Sequence, residues 1–182
     1  MHRDQDIEKI FFTEEQIHKR VRELGIQLSA EYADKNPVLV GVLKGSFVFL
    51  SDLIRAMTIH CQVEFVACSS YGAGTETSGQ VKLTKDLGTD ITGRHVLIVE
   101  DILDSGVTIS FLKDYIASKN PASVKVCTFL DKPARRIKPF QADYVGYACE
   151  DAFVVGYGLD YAERYRNLPY IGVLKPEIYT HA

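Results

Sequence analysis

The segment VLIVEDILDSGVT, Val96 to Thr108, constrains this chain more than any other. The run His95-Val96-Leu97-Ile98-Val99 is the clearest strand in the sequence, and it ends in two adjacent carboxylates, Glu100 and Asp101. A third carboxylate, Asp104, follows, and Ser105-Gly106-Val107-Thr108 then opens the clearest helix, Ile109 to Ser118. A strand of unbroken apolar residues leading into a helix belongs in a parallel sheet covered on both faces. In open sheets of that kind ligands bind beyond the carboxyl ends of the strands. A helix N-terminus offers unpaired N–H groups and partial positive charge, which suits a phosphate monoester. Gly106 permits close approach of the backbone, and Ser105 and Thr108 add hydroxyl donors. Three carboxylates would repel that phosphate unless they accept from sugar hydroxyls or hold a hydrated Mg²⁺. The bland alternative is that Asp104 and Ser105 only cap the helix and the acidic pair is solvated.

The rest of the chain repeats the alternation. Thr13-Glu14-Glu15-Gln16 has the form of a capping box, and Ile17, Val21, Leu24, Leu28 and Tyr32 behind it mark one face of a helix. Val38 to Leu43 reads as a buried strand, Ser46 to Met57 as a helix, and the alternation Ile59, Cys61, Val63, Phe65 as a second strand ending near Ser69. Further strands are expected at Val124–Leu130, Tyr144–Ala148, Phe153–Gly156 and Tyr170–Val173. Tyr71 to Gln80 carries three glycines and three Ser/Thr, and reads as an exposed, mobile connection, either a plain hairpin loop or a lid; Val81 to Leu87 returns from it. The predicted class is α/β, a twisted, mainly parallel sheet flanked by helices, in one domain of 182 residues.

Several function classes drop out. With 21 Lys+Arg against 24 Asp+Glu the net charge is −3, which argues against a general nucleic-acid binder. Gly41 and Gly45 frame Lys44 at the wrong spacing for a P-loop, and no G-x-G-x-x-G follows a strand. The cysteines, Cys61, Cys68, Cys127 and Cys149, show neither zinc nor disulfide spacing and read as reduced thiols. With no signal-like start and no run long enough to span a bilayer, a soluble cytoplasmic protein is expected.

Val99-Glu100-Asp101-Ile102-Leu103-Asp104-Ser105-Gly106-Val107-Thr108 resembles the phosphoribosyl diphosphate signature of the type I phosphoribosyltransferases. Leu43-Lys44-Gly45, Ser69-Ser70-Tyr71-Gly72 and Phe153 to Tyr161 (FVVGYGLDY) narrow the resemblance to the hypoxanthine-guanine branch, over Val38 to Val173. The resemblance implies transfer of a phosphoribosyl group from the diphosphate to hypoxanthine or guanine, giving IMP or GMP and pyrophosphate. It places Glu100 and Asp101 on the ribose hydroxyls and Mg²⁺, Asp104 as general base on the purine, and Asp104 to Ile109 (with Ser105, Gly106, Val107 and Thr108) around the 5′-phosphate. Lys44, Gly45 and Arg166 fall on the pyrophosphate, often with a strained peptide before the Lys in this family. Lys132, Phe153, Val154 and Asp160 fall on the purine, Asp160 also on a second Mg²⁺, and Ser70 and Tyr71 on a closing lid. It implies a core over about 36–150 with a hood from the N-terminal segment and about 151–182, and a homodimer or homotetramer. Gly158 departs from a position often held by Ala, which puts local rigidity near Asp160 in question.

Two alternatives stand beside this reading. One is a relative that prefers xanthine, adenine or orotate; Lys132 with Phe153-Val154 favours a 6-oxopurine. The other is a nucleic-acid-binding regulator of the same fold, for which the basic cluster Lys132, Arg135, Arg136, Lys138 is the one notable feature.

Overall fold

The computed structural model describes residues 3–70 and 81–180. The chain opens with strand β1 (Ile7–Phe12) and helix α1 (Glu14–Glu31). α1 starts at the expected capping box: Thr13 Oγ1 accepts from the Gln16 N–H at 3.3 Å, and Gln16 Oε1 accepts from the Thr13 N–H at 2.8 Å. Thr13→Ala is expected to lower unfolding free energy by about 1 kcal/mol in urea titration. An unchanged midpoint would show that tertiary packing alone holds this helix end.

Alternating elements follow: β2 (Val38–Leu43), α2 (Phe47–Ala56), β3 (Gln62–Ser70), β4 (Val81–Lys85), β5 (His95–Leu103), α3 (Val107–Ala117), β6 (Ser123–Asp131) and β7 (Tyr144–Ala148). They build a six-stranded sheet in the order β4-β3-β2-β5-β6-β7. Every neighbouring pair is parallel except β3–β4. The apolar runs are continuous because both faces are covered. Leu39, Leu97, Val99 and Phe129 turn to α1 and α2, packing with Ile17, Leu24, Leu28, Phe49 and Leu53. Val38, Val40, Val96, Ile98 and Val126 turn the other way, onto Ile109, Leu112 and Ile116 of α3.

The remaining strands, β8 (Val154–Val155) and β9 (Ile171–Leu174), join β1 in a separate antiparallel sheet of order β1-β9-β8, and α4 (Pro176–Tyr179) follows it. We refer to this small sheet with α4 as the hood, and two details differ from expectation. The strand expected over Phe153–Gly156 shrinks to two residues, because the backbone turns into the left-handed region at Gly156 (φ 99°) and Tyr157 (φ 51°). The N-terminal segment is divided: β1 goes to the hood, whereas α1 packs on the core sheet, since its apolar face fits the surface left open beside α2. The tip between β3 and β4, including Tyr71 of the lid reading, lies outside the described residues. Among the described residues no helix is long and apolar enough to cross a membrane.

Candidate active site

β2 lies between β3 and β5, so the chain leaves it in one direction and returns on its other side. At such a switch point the carboxyl ends of two neighbouring parallel strands open a crevice. Here it brings Leu43-Lys44-Gly45, after β2, against Glu100 to Asp104, at the end of β5. A Cβ at Gly45 would collide with the Asp101 carboxylate, so glycine lets these two segments approach with that carboxylate where it stands. The Leu43–Lys44 peptide is cis.

Strand alternation sets the two adjacent acids on opposite faces of the sheet, yet their carboxyl groups stay close enough to interact. Glu100 faces the α3 side and lines a cavity of about 210 Å³ with Ser105, Gly106, Thr108 and Ile109. Asp101 turns towards Gly45, its Oδ1 accepting from the Ile102 N–H at 2.9 Å. Burial pushes the Glu100 carboxyl well above the usual carboxylate range, and the neighbouring Asp101 adds to it. Burial raises Asp101 as well, with Arg166 nearby pulling the other way. Hard oxygen donors in a site where burial penalises their charge suit a divalent cation such as Mg²⁺. Asp160 belongs to a different group: its Oδ1 pairs with Arg166 at 3.0 Å and its Oδ2 accepts from the Glu163 N–H at 2.9 Å. Among the described residues no three His, Cys, Asp or Glu side chains form one cluster suited to a metal.

The turn into α3 is built as an open cradle. Gly106 occupies the N-cap position at φ 79°, and no side chain caps the helix. A Cβ there would meet the Lys138 carbonyl and Arg136. Ser105 Oγ accepts from the Val107 N–H at 3.3 Å, which engages Val107 locally; Val107 does not line the cavity. The Ser105 carbonyl accepts from Ile137 and Lys138 at 2.9 and 3.0 Å, tying the cradle to the loop after β6.

That loop carries the basic cluster, and its cations are mostly engaged inside the molecule. Arg136 pairs with Asp131 and donates to the Leu103 carbonyl at 3.1 Å. Arg135 bonds Asp151 at 2.7 Å, and Lys132, only 8% exposed, donates to the Ala152 carbonyl at 2.8 Å. The loop itself stays solvated, with Arg135 and Lys138 exposed and Lys132 alone drawn into the site, while Asp151 and Asp131 pair with Arg135 and Arg136.

A second cavity, of about 500 Å³, lies under the hood and is lined by Asp104, Lys132 and Phe153 with Lys9, Val173 and Tyr179. Pairing of Leu103 with Asp131, and the Lys132 N–H bond to the Leu103 carbonyl at 2.9 Å, set Lys132 beside Asp104. Phe153 is 37% exposed and stacks on Tyr179 (centroids 4.7 Å apart, 19° between planes). Of the residues lining the two cavities, Asp104 alone is common to both. Val154 is buried in β8 and does not line the second cavity, and Asp160 stands outside it too.

Arg166 and Lys44 meet on the third side. Arg166 donates to the Gly158 carbonyl at 2.8 Å, and a Cβ at Gly158 (φ 99°) would strike the Gly45 carbonyl. Gly158 thus allows the 158–166 turn to rest on the Lys44-Gly45 loop, and the rigidity questioned from sequence is replaced by a close backbone contact. Sequence reasoning missed Tyr179, Lys9 and Glu163, none of which sits in a recognisable motif. It also missed Cys68, which lines the smaller cavity and whose thiol burial pushes up to about 11.

Comparison with known proteins adds the following. The model of the phosphoribosyl transferase domain matches residues 11–162. The chain is 54% identical over 175 residues to a bifunctional protein TilS/HprT of Listeria innocua, covering 96% of this chain and 27% of that protein. It therefore spans about a quarter of the length of those bifunctional relatives. It is 53% identical over 174 residues to the hypoxanthine-guanine phosphoribosyltransferase of Bacillus subtilis, covering 96% of this chain and 97% of the relative. A crystal structure of a hypoxanthine phosphoribosyltransferase from Staphylococcus aureus superposes with a TM-score of 0.94 at 48% identity, covering 97% of this chain and 96% of the other.

Proposed function

The chain belongs to the phosphoribosyl transferase family, and from that premise we propose that it is a purine-salvage enzyme joining hypoxanthine or guanine to 5-phosphoribosyl 1-diphosphate. One observation carries the reading: Asp104 forms the shared wall between the smaller, phosphate-suited cavity and the larger one with Lys132 and Phe153. A group in that position reaches a base in one cavity while the base attacks a sugar carbon held in the other. Geometry of this kind supplies proximity and a proton acceptor together.

The steps follow from the residues. The α3 cradle, Ser105 to Ile109, binds the 5′-phosphate through N–H and hydroxyl donors. Glu100 and Asp101 hold the ribose hydroxyls and would also hold Mg²⁺, while Asp160 would hold a second ion in place of its pairing with Arg166. When bound, Mg²⁺ supplies charge to the departing diphosphate. Lys44, Gly45 and Arg166 orient that diphosphate and stabilise the charge it gains as its bond to the sugar breaks. Asp104 takes the proton from the purine imidazole nitrogen as that nitrogen bonds to the sugar. Lys132 donates to the 6-oxo group, a contact adenine's amino group cannot accept. Phe153 stacks on the ring, with Val154 at its edge. Ser70 and Tyr71 root a lid that keeps water from the reacting sugar. A homodimer or homotetramer in the cytoplasm completes the proposal.

The test is a spectrophotometric assay with phosphoribosyl diphosphate, Mg²⁺ and each of hypoxanthine, guanine, xanthine and adenine. IMP and GMP should form, EDTA should abolish turnover, and adenine should give none. Xanthine as the best base would move the assignment to a xanthine-preferring relative, and no turnover with any base would overturn it.

A further inference from the structure

The 160–166 turn holds an acid in an unexpected place. Glu163 stands on the two cations assigned to pyrophosphate: both its oxygens lie 3.1 Å from Lys44 Nζ, and Oε2 lies 3.6 Å from Arg166. The turn is fastened in that pose. The Glu163 N–H donates to Asp160 Oδ2 at 2.9 Å, and Tyr161 and Arg164 exchange backbone bonds at 3.2 and 3.0 Å. Ala162, Glu163 and Tyr165 are all left-handed, with φ of 50°, 61° and 74°, a conformation non-glycine residues seldom adopt. Backbone held in sparsely populated regions tends to mark a functional position.

We propose that Glu163 is a resident occupant of the pyrophosphate subsite, a carboxylate that the incoming diphosphate must displace from Lys44 and Arg166. This rests on the assignment of those two cations to pyrophosphate. The chemistry is that of one anion standing in for another: a carboxylate offers two acceptor oxygens, whereas a diphosphate offers more charge and more oxygens to the same donors. Displacement is easy because the Lys44 and Glu163 side chains are 65% and 64% exposed, and exposed ion pairs hold weakly. Glu163 therefore loosens binding of both diphosphate-bearing ligands and favours release of pyrophosphate after the reaction.

Glu163→Gln keeps the shape and removes the charge. It should lower KM for phosphoribosyl diphosphate and the calorimetric Kd of Mg-pyrophosphate by about two- to fivefold, leaving KM for hypoxanthine unchanged. Glu163→Ala should move the same constants in the same direction. Lys44→Ala and Arg166→Ala serve as references and should weaken pyrophosphate binding. If they do and neither Glu163 variant tightens it, the displacement idea is wrong while the subsite stands. If neither reference variant weakens it, the subsite assignment falls, and the inference with it.

Discussion

Asp104→Asn should bind both substrates with KM values close to those of the parent and lose about 10²- to 10⁴-fold in kcat. Asn has nearly the same volume, so both cavities keep their shared wall, yet it does not accept the proton that the imidazole nitrogen gives up. The Asp104 side chain is exposed, and what locks the residue in place is its backbone, whose carbonyl accepts from Arg136. Folding should therefore change by no more than about 0.5 kcal/mol, and a thermal melt run beside the kinetics separates lost chemistry from lost structure. Turnover within a few-fold of the parent would remove Asp104 from the proton transfer and leave it a contact residue.

Lys132→Gln should lower kcat/KM for hypoxanthine and guanine by about 10- to 100-fold, the worth of a charge-assisted hydrogen bond. Adenine, which is not turned over and is read as a competitive inhibitor, should bind no more weakly, so the hypoxanthine-to-adenine affinity ratio narrows. The ratio matters more than either absolute value, because Lys132 also has a structural job. Its Nζ donates to the Ala152 carbonyl at 2.8 Å and lies 3.5 Å from Asp151, bracing the strand end that carries Phe153. Loss of that brace would weaken every base alike. An unchanged ratio between the bases would assign Lys132 to bracing alone.

Much of this site is local in sequence, and that part was readable. The strand-acid-acid-turn-helix run from Val96 to Thr108 encodes its own geometry: apolar residues without a break demand two covered faces, and Gly106 permits the left-handed start of α3. The capping box at Thr13 is equally local and appears as read. The resemblance carried Lys44, Lys132, Phe153 and Arg166 to the site region. It had nothing to say of what those side chains touch. Phe153 is a partly exposed wall stacked on Tyr179, a contact sequence does not show. Sequence shows the charges of the basic cluster but not that Asp151 and Asp131 pair with Arg135 and Arg136.

The sequence by itself determined the α/β alternation, the faces that are buried and the phosphate-suited turn, since hydrophobic period, caps and glycine conformations depend only on near neighbours. Tertiary structure alone decided that β2 and β5 are adjacent, that β1 and β9 pair into a hood over Lys132, and that Glu163 reaches back to Lys44. Those contacts join residues far apart along the chain, and they come from strand order and from where the buried faces find cover, which no local pattern specifies.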